Sequence, residues 1–137
     1  MAIHFKRLSD TRVLFDYVGA ISDREVDVAH EQWFSALREA DAAGRHVVLL
    51  ADGTNSEGMS ASQRRVTAAF TETHEALIRR VCAAQAVVIV SAIQRGIMTA
   101  ILWIKPPPTD LRAFKTRAEA EAFLDDIERG AFVSKSA

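Results

Sequence analysis

The chain has 137 residues, 49% hydrophobic and 26% charged, with 17 Lys and Arg against 18 Asp and Glu. That composition suits one domain able to bury an ordinary core, and a single cysteine, Cys82, excludes an intramolecular disulfide framework. Balanced charge without a Lys/Arg tract removes the long-range field that draws proteins to nucleic acid, and the longest uncharged run, residues 81–94, is too short to span a bilayer.

In chain order, residues 3–8 and 12–18 flank Ser9-Asp10-Thr11, a short polar connection that predicts a β-hairpin. After Ser22-Asp23, apolar residues recur at Val26, Ala29, Trp33, Leu37 and Ala40, one face of a helix that Gly44 ends. The continuous run Val47-Val48-Leu49-Leu50-Ala51 reads as a strand covered on both faces. A polar loop is expected from Asp52 to Met59. Ser60 then caps a second helix, with Gln63 completing a capping box and Val66, Ala69, Phe70, Thr73 and Leu77 as its buried stripe. Glu72, Glu75, Arg79 and Arg80 form its solvated face.

Ala86-Val87-Val88-Ile89-Val90 repeats the central-strand signature, and a third helix runs from about Ala92 to Ile104, stopped by Pro106-Pro107-Pro108. Leu111 to Phe114 is a short last strand. The final helix, Arg117 to Arg129, turns Ala120, Phe123, Leu124 and Ile127 inward and stops at Gly130, leaving residues 131–137 as a frayed tail. The order β-β-α-β-α-β-α-β-α implies an α/β fold, a mixed, largely parallel sheet of four to five strands with flanking helices in one domain over residues 1–130. Sites in such sheets gather at the carboxyl ends of the strands, here the loops 52–62 and 91–96.

Motifs of catalysis are missing from the pattern. His4, His30, His46 and His74 fall on different elements without metal-ligand spacing, no glycine-rich phosphate loop occurs, and no Gly-x-Ser-x-Gly turn exposes a serine. Cys82 reads as a packed thiol. The expectation is therefore no metal, no cofactor and no enzyme, with a cytoplasmic location because the N-terminus lacks the pattern of a signal peptide.

The third helix stands out. On a helical wheel Ile93, Ile97, Ala100, Ile101 and Ile104 form one face that a sheet contact would bury, while Met98 and Leu102 lie off it and Trp103 lies off it on the other side. The apolar arc exceeds the roughly 100° that a one-sided contact needs. Either the C-terminal segment including Phe132 covers the surplus, or Met98, Leu102 and Trp103 form an exposed patch for a partner, a homodimer or an apolar ligand. Arg95, in the turn Ser91-Ala92-Ile93-Gln94-Arg95-Gly96, either is solvated beside a Ser91 cap or adds a cation to an anion-binding helix start.

The run Leu49-Leu50-Ala51-Asp52 with its loop into a helix, the turn from Ser91 to Gly96, the helix ending Leu102-Trp103-Ile104-Lys105-Pro106-Pro107-Pro108 and the closing Phe114…Ala118-Glu119-Ala120-Glu121-Ala122-Phe123-Leu124 together resemble the SpoIIAA-like branch of bacterial STAS domains. These are relatives of anti-sigma-factor antagonists, with a fold like that of CRAL-TRIO lipid-binding domains. The resemblance implies a non-enzymatic, regulatory module that binds a protein partner or itself through the third helix and strand-end loops, or else carries an apolar, lipid-like molecule. Antagonists carry Asp-Ser-Ser-Gly at the start of the second helix, where a kinase phosphorylates a serine. The matching positions are Ser60-Ala61-Ser62-Gln63, which makes Ser62 the phosphoacceptor equivalent without the Asp and the Gly.

Overall fold

The computed structural model describes residues 2–136, and side chains through Gly130. Five strands, β1 (Ala2–Ser9), β2 (Arg12–Gly19), β3 (Val47–Ser56), β4 (Cys82–Val88) and β5 (Asp110–Phe114), form one sheet in the order β1-β2-β3-β4-β5. The β1–β2 hairpin is antiparallel and the other pairings are parallel. The helices are α1 (Asp23–Ala42), α2 (Ala61–Thr73), α3 (Glu75–Val81), α4 (Ala92–Ile104) and α5 (Arg117–Ser136). None of them is long and apolar enough to cross a membrane.

Alternation along the strands sends the core to two faces. Val13, Phe15, Val47 and Leu49 pack against Ala29, Trp33, Ala36, Leu37 and Ala40 of α1 and Ile78 and Val81 of α3. Leu14, Val48, Leu50, Ala84, Ala86 and Val88 point the other way, onto Ala120 and Leu124 of α5. Burial on both faces is why β3 and β4 read as unbroken apolar runs. Arg12 is buried on β2 and donates to Asp125 (2.6 Å) and Glu128 (3.1 Å) of α5, fastening that helix to the sheet.

The α1 stripe is buried as the spacing predicts, and Gly44 follows the helix with φ +68°, the left-handed turn that glycine takes without strain. Cys82 is buried, and its thiol is pushed up to about 12 by desolvation. Three expectations change. β3 does not end at Ala51 but continues to Ser56, because Asn55 and Ser56 pair with Val18 and Gly19 of β2. β4 starts at Cys82, earlier than its apolar run suggests. α5 runs on through Gly130 to Ser136; the expected stop fails because Gly130 does not adopt the positive φ that would turn the chain. Phe132, one candidate to cover the third helix, lies outside the described side chains.

The second helix is two helices. The capping box forms as expected, Ser60 Oγ accepting from Gln63 N (3.0 Å) and Gln63 Oε1 from Ser60 N (3.0 Å). The chain then breaks at His74, which is the C-cap of α2 and the N-cap of α3. Past the break, Ile78 and Val81 face the core. Before it, Val66, Ala69 and Thr73 of the expected stripe are exposed, and Phe70 is half-buried. The reason is that α2 packs on α1 and not on the sheet: Phe70 stacks on His30 (4.7 Å) and meets His74 (4.7 Å), which in turn meets Phe34 (4.5 Å).

Candidate functional site

α4 connects β4 to β5 at the sheet's edge. Ser91 caps it, Oγ accepting from Gln94 N at 3.2 Å, as the sequence predicts. None of its residues is buried. Ile93, Ile97, Ile101, Trp103 and Ile104 are exposed, Trp103 at 84% and Ile104 at 86%. Met98 and Leu102 are the half-buried ones, so the expected orientation is reversed: the isoleucine face points to solvent and the Met98–Leu102 side turns inward. Trp103 is the one of the three candidate contact residues that stands fully in the open.

Arg95 supplies the physical reason. Its guanidinium donates to the carbonyls of Ile89 and Val90, both at 2.7 Å, satisfying two acceptors just past the end of β4. Arg95, Met98 and Leu102 lie three, four and seven residues apart and share one side of the helix. Seating Arg95 on those carbonyls therefore turns Met98 and Leu102 inward with it. The Ser91 cap forms as the sequence predicts, and beside it Arg95 caps the two carbonyls that follow β4. Lys105, just past the helix, pairs with Glu72 of α2.

The second half of β3, expected from sequence to be a strand-end loop, is ordered around Asp52. This buried carboxylate accepts from Thr54 N (2.9 Å) and Thr54 Oγ1 (2.5 Å), with Arg117 of α5 at 3.8 Å. Asp52 pairs in register with Asp16 of β2, which in turn pairs with His4 of β1. Beside them lies an open groove of about 360 Å³ lined by His4, Phe5, Lys6, Leu8, Leu14, Asp16 and Arg117. Sheet register assembles this grouping from residues far apart in the chain, so no single local pattern announces it. An alternation reading of β1 and β2, with their even-numbered residues on one face, is the signal that would have found it.

No protein-family model matches the chain, and no curated protein does. Among solved structures, it is similar to an uncharacterized DUF3478-family protein with a SpoIIAA-like fold from Shewanella loihica PV-4. The TM-score is 0.60 and the identity 21%, over 90% of this chain and 92% of that one. The fold is SpoIIAA-like. The mixed five-stranded sheet with its flanking helices thus agrees with the architecture that the sequence resemblance implied.

Within this SpoIIAA-like fold, the start of α2 divides its serines between two situations. Ser60 is committed to the capping box, whereas Ser62 is exposed in the first turn. α2 is anchored there by Gln63, whose Nε2 donates to Ile21 O (2.8 Å) and Asp23 Oδ1 (3.1 Å) at the entry to α1. The structure thus brings Arg95, Met98, Leu102 and Trp103 together on one helix and leaves Ser62 on another.

Proposed function

We propose that the chain is a non-enzymatic, STAS-like interaction module, regulatory in role, that binds a protein surface through the apolar face of α4. One observation carries this reading: a helix of 13 residues, uncharged from Gly96 to Ile104, exposes its isoleucine face and buries none of its residues. Taking roughly 100–200 Å² for each of the exposed Ile93, Ile97, Ile101, Trp103 and Ile104, the face presents on the order of 700 Å². The largest apolar patch on a typical monomer is only about 300–600 Å². Isolated exposed apolar residues need no explanation, but a contiguous patch of this size is the mark of a contact surface.

The test is a charge placed in the middle of the face. Ile101→Glu is expected to leave the circular dichroism spectrum and melting temperature unchanged, since Ile101 is exposed, and to abolish protein association measured by sedimentation and by capture on immobilised wild-type chain. Association that survives Ile101→Glu removes α4 as the binding element. Native mass spectrometry separates the rival reading: wild type that carries a small apolar molecule, lost in the variant, with no protein association, makes the chain a carrier instead.

A further inference from the structure

Building on the reading of α4 as a contact surface, we infer that its occupant is a second copy of this chain, paired antiparallel about a two-fold axis near Ala100 so that each Trp103 sits over the other copy's Gly96. The area is the first argument. The exposed apolar area, on the order of 700 Å² per chain, is close to the roughly 800 Å² that each partner contributes to a standard stable interface. A two-fold pairing joins one patch to itself, and nothing in an uncharged face opposes that.

Gly96 is the second argument. It lies inside a helix, where glycine is among the poorest residues, yet its φ is not positive and a Cβ added there meets nothing within 4 Å. Nothing among the described residues requires glycine at this position. On the wheel, Trp103 and Gly96 flank the same side of the isoleucine face, roughly 60–80° from Ile93, with Ala100 near the centre. An in-plane two-fold axis through Ala100 keeps that side in place and reverses the helix direction, carrying residue 103 of one copy to the level of residues 96 and 97 of the other. The indole then fills the gap left by the missing side chain, a large group against a small one. Antiparallel pairing also sets opposite helix-dipole ends side by side.

Charge argues against a lipid surface as the occupant. Interfacial helices keep Lys and Arg on the polar face for anionic headgroups. Here α4 carries a single cation, Arg95, turned inward onto the Ile89 and Val90 carbonyls, and Lys105 past its end pairs with Glu72.

The experiment is sedimentation equilibrium on the full chain and its variants. Wild type is expected to be a dimer at micromolar concentration. Trp103→Ala should weaken it at least about 30-fold, as for an aromatic hot spot. Gly96→Leu should weaken it comparably while leaving the fold intact, since a Cβ there meets nothing within 4 Å among the described residues. The combination Gly96→Leu with Trp103→Ala should recover part of the loss, because the new side chain occupies the vacated space. Ala100→Cys should cross-link to itself on oxidation, with Cys82 buried and unable to compete. A dimer indifferent to Gly96→Leu overturns the register. A wild type that stays monomeric at all concentrations overturns the second copy as occupant; if it still captures another protein, or sediments with phosphatidylserine vesicles, in an Ile101-dependent way, α4 remains a contact surface with a different occupant.

Discussion

Two glycines show how differently one residue type is held in this chain. A Cβ on Gly53 would stand 2.7 Å from the carbonyl oxygen of Val88, where β3 passes β4, so the backbones approach more closely than any side chain permits. Gly53→Ala should therefore push the strands apart and cost about 1–3 kcal/mol, seen as a lower urea midpoint with an unchanged m-value. Gly96→Ala serves as the control, since its Cβ meets nothing within 4 Å among the described residues; monomer stability should stay level or rise by up to about 1 kcal/mol. Equal losses at the two sites would mean that the Val88 approach is not what holds Gly53. From the sequence alone Gly53 reads as an ordinary loop glycine. Its reason lies on a strand 35 positions later, at Val88, and no local pattern carries that.

At the scale of elements, the strands and the α1 stripe were legible because burial writes itself into periodicity. What faces what was less so. The spacing in the second helix predicts a buried stripe but not what covers it, and α2 leans on α1 through the His30, Phe70, His74 and Phe34 rings. α4 shows the same limit: a wheel displays its apolar arc, but the carbonyls that seat Arg95, and so choose the inward side, are invisible until the strand is placed. The α1–α2 contact carries its own pH dependence. Burial lowers the His30 pKa below its ordinary 6.5, partly offset by Asp27 on its own helix; from α2 it meets uncharged groups, the Phe70 ring and Thr67 Oγ1 at 3.2 Å. The unfolded chain then takes up the proton more readily than the folded one. The contribution is present above 6.5 and is lost as the pH falls below it, toward the lowered folded value. Urea unfolding of wild type and His30→Gln across that range should show a steeper acid loss in the wild type; parallel curves would remove His30 as the source.

For the whole molecule, the sequence conveys the number and order of layers better than the ties between them. The two-sided burial of β3 and β4 announced a sheet with helices on both faces, yet nothing in the pattern joined Arg12, an unremarked strand residue, to Asp125 and Glu128 more than a hundred positions away. Among the described residues, α5 supplies the helical side chains of the second core face, so that junction bears on the whole fold. Arg12 is buried, while Asp125 stays half in solvent, which limits the cost of stranding it. Truncation should then fall short of a fully buried pair: Arg12→Ala is expected to lose about 1–3 kcal/mol by urea unfolding. Arg12→Met, which keeps the aliphatic stem but not the charge, should lose less if packing contributes alongside the ion pair. Pairing Arg12→Ala with Glu128→Ala isolates the contact itself. A coupling of about 1 kcal/mol or more ties β2 to α5 electrostatically, whereas additive losses would leave apolar packing of Ala120 and Leu124 as what holds that helix to the sheet.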